Sequence, residues 1–238
     1  MDFVGKNFHY VTKGFGDFLG EVQSGAHLYL RSLSLDEPSN RPANIRDDFP
    51  ALSNDFILPS ELATVSANEF SSVLRISGRV NMWLHYDVMA NIYCQIGGSK
   101  RLVLFPPGDV TSFAFEPGAS SSSVDVFSLL EGGDPLLRST RPHEARLEPG
   151  DVLFLPPFWL HTATPTSDAS VAVNVFFRDL ESGYANGRDV YGNKDLAAYE
   201  KGRLDLRRLA SYFNKLPLDA REFYLKRLAD ELLVAARR

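Results

Sequence analysis

From residue 72 the chain breaks into short runs rich in β-branched and aromatic residues, SVLRISG, MWLHYDV, NIYCQIG and KRLVLFPP, separated by Gly, Pro or Asn. Two more, DVLFLPP and SVAVNVFF, follow a long break, and HLYLRSLS precedes them all. Runs of this length and punctuation read as antiparallel strands. Helical spacing is confined to the flanks. Phe15, Phe18, Leu19 and Val22 share one face before Gly25, and LPSEL at 58–62 reads as a short helix begun by Pro59. After 195 the pattern turns helical again. Leu206, Leu209, Phe213 and Leu216 form one stripe, Pro217 punctuates, and Phe223, Leu225, Leu228, Leu232 and Val234 mark a second helix. Strands in the middle and helices at the ends, without βαβ alternation, exclude Rossmann and TIM architectures. The expected fold is mainly β with α additions, an antiparallel barrel or jelly roll over 1–194 followed by a helical segment over 195–238.

Composition narrows the chemistry. The single cysteine, Cys94, forms no internal disulfide and cannot seed a thiolate zinc cluster, so a metal here must sit on His, Asp or Glu. Cys94 is out of phase with Asn91, Tyr93 and Gln95, which suits a buried structural thiol. No stretch reaches the ~20 apolar residues of a membrane helix, and MDFVGKNFHY lacks a signal peptide's apolar region. A soluble, cytoplasmic protein is expected. The net charge of −5 divides unevenly, +4 over residues 200–238 and −9 over the rest. A basic tail of this kind is either a solvated helix pair or a steering surface for a polyanion. The break at roughly 106–145 is long for a plain connection, and its serine run 120–123 reads as a flexible tip or part of a substrate-covering lid.

In MWLHYDV, His85 and Asp87 are two apart, so on a strand both leave the same face. His161, in PGDVLFLPPFWLH, follows a Gly-Asp turn and what reads as a buried strand. In a jelly roll, strands distant in sequence lie side by side, so these three can converge. Two imidazoles and one carboxylate on one face of an octahedron hold Fe(II) with three positions open. A catalytic zinc accepts the same groups, but no HExxH helix supplies its general base. A rival set of His143, Glu144 and His161 suffers because neighbours on a strand point to opposite faces. An iron oxygenase of this kind takes 2-oxoglutarate, whose far carboxylate needs a cation inside the barrel. Lys100 starts KRLVLF just after a GGS turn, although on spacing alone such a lysine reads as solvent-exposed. Tyr29 and Asn174 are candidate hydrogen-bond partners for that cosubstrate, and equally barrel-wall residues. Arg75 and Arg79 flank the approach to the HxD segment, where they read as surface groups or as contacts to phosphate or nucleobase.

Taken together, HYDVMANIYCQIGGSKRLVLFPP and PGDVLFLPPFWLH resemble the JmjC-type Fe(II)/2-oxoglutarate oxygenases. The resemblance implies a double-stranded β-helix with His85, Asp87 and His161 as iron ligands and Lys100 as the cosubstrate lysine. It further implies that Asn91 and Asn174 line the cosubstrate pocket and that Tyr29 is its phenol partner. LYLRSL, LRISG, DVYGNKD, LPLDAREFYLKRL and PGASSSSVDVF are similar to the branch of this family that works on wybutosine-type guanosines of tRNA. That likeness implies a tRNA substrate, hydroxylation of a side-chain carbon, and a homodimer through the C-terminal helices. A protein or peptidyl hydroxylase on the same scaffold, and a tRNA-binding module without turnover, are the competing readings. The short lead from Met1 suits both a whole small protein and a domain of a larger one.

Overall fold

The computed structural model describes residues 8–177 and 195–237. In chain order the elements are α1 (Phe15–Gln23), β1 (Tyr29–Arg31), α2 (Ile45–Asp48), α3 (Ala63–Ala67), β2 (Glu69–Ser77), β3 (Leu84–His85), β4 (Ala90–Gly97) and β5 (Lys100–Phe105). Then come β6 (Ser121–Ser122), α4 (Val126–Gly132), β7 (His143–Leu147), β8 (Val152–Leu155), β9 (Leu160–Pro165), β10 (Ser170–Phe177), α5 (Ala197–Ser211) and α6 (Leu218–Ala235). The chain divides into two units between Asp195 and Leu196. None of the helices among the described residues is long and apolar enough to cross a membrane.

The first unit is two five-stranded antiparallel sheets, ordered β1-β2-β10-β4-β8 and β6-β3-β9-β5-β7. Alternation along the strands assigns the faces. On the first sheet Leu74, Ile76, Ile92, Cys94, Val173 and Val175 turn outward and are covered by Phe18 and Val22 of α1, Ile45 of α2 and Val65 of α3. Cys94 is thus buried among hydrocarbons, and burial pushes its thiol up to about 11. The opposite face of the same strands is polar and points between the sheets. Tyr93 there joins Leu155 and Ala172 against Leu102, Leu104 and Leu147 of the second sheet.

The segment expected to be a flexible or lid-like loop is folded. Phe113, Val126 and Phe127 pack with Leu84, Val103, Phe105 and Leu160 on the outer face of the second sheet. Asp125 caps α4 by accepting from the N–H groups of Phe127 and Ser128. The serine run is not a free tip either, since Ser121 and Ser122 pair with His85 and Leu84 as β6. The aromatic residues of this segment are too irregularly spaced to announce a buried face.

Two further expectations change. The strand β8 is not buried, for Val152 and Phe154 are each half exposed. His161 does not end it but lies on the next strand, β9, after the Pro156-Pro157 break. In the second unit α5 carries Leu206 and Leu209 of the first expected stripe, whereas Phe213 and Leu216 lie in the turn after it; α6 carries the second stripe and is capped by Pro217. The rings of Phe213 and Tyr224 stack with centroids 6.2 Å apart.

The β4–β5 turn depends on one glycine. Gly98 has φ +63°, and a Cβ built on it would lie 1.9 Å from the carbonyl oxygen of Ala169. Gln95 secures the same turn by donating to the carbonyls of Gly97 (2.8 Å) and Gly98 (3.1 Å) and to Ser170 Oγ (3.0 Å). Gly98→Ala is therefore expected to cost at least about 2 kcal/mol in denaturant unfolding. Gly132→Ala, in α4 with open space at its Cβ, should instead add up to about 1 kcal/mol.

Candidate metal centre

β3 and β9 pair so that His85 stands directly opposite His161. Their ring centroids are 4.2 Å apart. Asp87, two residues beyond His85, turns its carboxylate to the same side, with Oδ2 3.7 Å from His161 Nε2. One ligand atom from each of His85, Asp87 and His161 lies within 4.8 Å of the others, and this is the one such cluster among the described residues.

Each imidazole is oriented from behind. Nδ1 of His85 is 3.0 Å from the carbonyl of Trp83, and Nδ1 of His161 is 3.0 Å from the carbonyl of Trp159. A proton on Nδ1 makes that bond and leaves Nε2 unprotonated and turned inward, the arrangement of a metal ligand and its supporting carbonyl. Burial, reinforced by the neighbouring His161 ring, pushes the His85 imidazole down to about 3. Below its ordinary range it stays neutral at physiological pH, ready to coordinate. The Asp87 backbone is held by Phe158, whose N–H donates to its carbonyl at 2.8 Å. Phe158 does so from a left-handed backbone with φ +65°, a strained conformation for a non-glycine residue at the edge of the triad.

The rival set falls apart. His143 and Glu144 are exposed on β7, where His143 packs edge-on against Trp159 and Glu144 is ion-paired to Arg101 and Arg146. Asn91 and Asn174 meet instead in the interior, where Asn174 Nδ2 donates to Asn91 Oδ1 at 3.1 Å and Asn174 Oδ1 has no partner.

Lys100 is buried, at 6% exposure, against the expectation from spacing. It lies on the strand that pairs with β9, four residues before Leu104, the partner of His161. That is about 13 Å along the strand at ~3.3 Å per residue. Its Nζ sits 5.6 Å from the centre of the Tyr93 ring, whose hydroxyl is buried without a partner. Burial, and then the nearby Arg75 charge, push the Lys100 ammonium down to about 7. Arg75 is not a surface group either. It shares the inward face of β2, and its guanidinium donates to the Tyr29 hydroxyl. Arg79 alone is exposed as expected, paired with Asp168.

The sequence held an unused signal. Trp-Leu-His occurs twice, at 83–85 and 159–161, and in both copies the leucine is fully buried on the outer face while the tryptophan carbonyl supports the histidine. Arg75 had no such signal beyond its alternation with Leu74 and Ile76.

Comparison with known proteins agrees with this architecture. Residues 1–183 match the family described as "Cupin-like domain". The chain is 68% identical over 237 residues to tRNA wybutosine-synthesizing protein 4 of Neurospora crassa, covering 98% of this chain and 20% of that protein. It is 37% identical to tRNA wybutosine-synthesizing protein 5 of Danio rerio, covering 96% of this chain and 72% of that protein. The human protein of the same name is 35% identical, with 96% and 74% covered. The chain thus spans about a fifth of the length of the fungal relative.

Two outcomes follow from this geometry. His161→Ala is expected to weaken Zn(II) or Fe(II) binding by more than about 100-fold in calorimetric titration, whereas His143→Ala leaves it unchanged. Lys100→Met should stabilise the metal-free protein, on the order of 3 kcal/mol, because a lone buried cation is costly. The folded lysine binds its proton less tightly than the unfolded one, so wild-type stability rises with pH from about 7 towards 10.5. The advantage of Lys100→Met is accordingly largest below pH 7 and shrinks above it, as thermal unfolding at several pH values will show.

Proposed function

The chain belongs to the cupin-like domain family, and on that premise we propose that it is an Fe(II)- and 2-oxoglutarate-dependent dioxygenase that hydroxylates a wybutosine-type guanosine side chain in tRNA. The observation that carries this reading is the pairing, inside one barrel, of a His85–Asp87–His161 triad with a buried lysine, Lys100, that has no carboxylate partner among the described residues. A metal held by two imidazoles and a single carboxylate keeps three positions free. A lysine buried some distance along the strand asks for an anion there. A five-carbon dicarboxylate with a 2-oxo acid at one end meets both demands.

In this reading His85, Asp87 and His161 hold the iron, and Lys100 with Tyr29 receives the far carboxylate. The amides of Asn91 and Asn174 line the wall between, with Asn174 Oδ1 still able to accept a hydrogen bond. Iron and 2-oxoglutarate together supply the oxidising power, since decarboxylation to succinate and carbon dioxide lets dioxygen place one oxygen atom into a substrate C–H bond. The chain's own work is positioning and the exclusion of water. The carbonyls of Trp83 and Trp159 keep both imidazoles in the ligating tautomer, and the apolar layer around Leu102, Leu104 and Leu155 keeps the interior dry.

The tRNA substrate is supported by the names of the relatives described above, which are wybutosine-synthesizing proteins. Within the second unit no residue of α5 or α6 is buried, and Leu204, Leu206, Leu218, Phe223, Leu232 and Leu233 are more than half exposed. These faces support a homodimer through the two helices, whose surplus of basic residues then suits the tRNA backbone. A cytoplasmic location accords with such a substrate.

The test is coupled turnover. With Fe(II), 2-oxoglutarate and dioxygen, tRNA bearing the wybutosine-type base is expected to drive succinate release and to gain 16 Da by mass spectrometry, and His85→Ala abolishes both. Succinate release with a peptide pool and none with tRNA would move the assignment to a protein hydroxylase. Salt-sensitive tRNA binding without succinate from any substrate would make the chain a binding module.

A further inference from the structure

Lys100 and Tyr29 leave one inward-facing, half-buried cation without a task. Arg75 lies opposite Ala172 on β10 and Arg31 on β1, and shares the inward face with Val73, itself opposite Asn174. Its guanidinium donates to Tyr29 Oη, while Nε is buried and unpartnered. It lies close enough to both His85 and Lys100 for its charge to act on each. No carboxylate of the described residues comes within ion-pair distance of Arg75 or Lys100. The acidic group whose charge reaches Arg75 is Asp87, which the triad uses.

Two like charges in one low-dielectric interior repel each other and are poorly solvated, and each is costly unless an anion joins them. A guanidinium offers five N–H donors in a fixed fork. One is spent on Tyr29, and among those that remain the buried Nε–H has no partner among the described residues. The Tyr29 hydroxyl, which accepts from Arg75, lies beside the fork. A carboxylate lying between Lys100 and Arg75 would receive the ammonium from one side and the guanidinium from the other, next to the Tyr29 hydroxyl.

We propose that Arg75 is a specificity-determining residue of the cosubstrate pocket, clamping the far carboxylate of 2-oxoglutarate together with Lys100 and Tyr29. The inference rests on the reading of this interior as a 2-oxoglutarate site and adds a second cation to it. With two cations on one carboxylate, the pocket rejects 2-oxo acids that lack the far charge, since such a ligand leaves both buried and unpaired.

The experiment is equilibrium binding to the Zn(II)-loaded protein, in which no turnover occurs. It compares 2-oxoglutarate with 2-oxovalerate, which has the same chain length and a methyl group in place of the far carboxylate. Wild type is expected to prefer 2-oxoglutarate by at least about 100-fold. Arg75→Met should cut the affinity for 2-oxoglutarate at least about tenfold and leave 2-oxovalerate within about twofold, so the preference collapses. Arg75→Lys keeps the charge without the fork and should lose at least about threefold of the preference, as should Tyr29→Phe. These milder variants decide the matter if Arg75→Met does not fold, as judged by circular dichroism. Equal loss for both ligands, or an unchanged preference in Arg75→Lys, overturns the assignment and leaves Arg75 a structural residue. If wild type binds 2-oxoglutarate and Arg75→Met binds it as tightly, only the role of Arg75 is lost. If wild type binds neither acid, the cosubstrate reading itself fails and this inference goes with it.

Discussion

The whole site depends on one antiparallel pairing, that of a two-residue strand carrying His85 with the strand carrying His161. Directly opposed residues on antiparallel strands bring their side chains within about 5 Å, which is the separation a shared metal needs. Asp87 lies two residues past His85, beyond the strand, where the Phe158 N–H holds its backbone and its carboxylate comes within 3.7 Å of His161 Nε2. Short as it is, β3 is fixed from both edges: Ser121 and Ser122 pair with it on one side and β9 on the other, while Leu84 anchors it in the outer core. The long segment after β5 therefore serves the triad from a distance by covering that core with Phe113, Val126 and Phe127.

The same sheets are built with two unlike faces. Outward, apolar side chains are sealed by α1, α2 and α3 on one sheet and by the 106–137 segment on the other. Inward, Arg75, Tyr93, Lys100, Asn91 and Asn174 place polar groups where water is scarce, several without partners. That arrangement costs stability unless a charged group joins it, which is what the proposed cosubstrate would supply. The hydrocarbon outer layers supply the stability that the inner face gives up. Gln95 and Gly98 hold the turn that delivers Lys100 to its buried position.

Much of this was legible in the sequence, and the exceptions have a common cause. Strand punctuation, the helix at Phe18 and Val22, the two C-terminal helices and the convergence of His85, Asp87 and His161 all follow from period and turn residues. What misled was the rule that polar residues on a strand face water. In SVLRISG the alternation of Leu74, Arg75 and Ile76 is that of a half-exposed strand, yet the helices cover the leucine and isoleucine while the arginine points into the barrel. On spacing alone Lys100 beside its turn reads as exposed for the same reason, although it is buried. Periodicity tells that a strand has two faces, and only the tertiary arrangement tells which face meets solvent. The 106–145 segment was missed differently, since its apolar residues lie on short, irregular elements that carry no period.

The central claim is that metal and 2-oxo acid are held together by these side chains. It is tested most directly by anaerobic optical titration of the Fe(II)-loaded protein with 2-oxoglutarate. A visible charge-transfer band that needs both components, and that His85→Ala abolishes, is the result expected here. A protein that takes up iron but gives no such band with 2-oxoglutarate, or gives it undiminished in His85→Ala, would contradict the account.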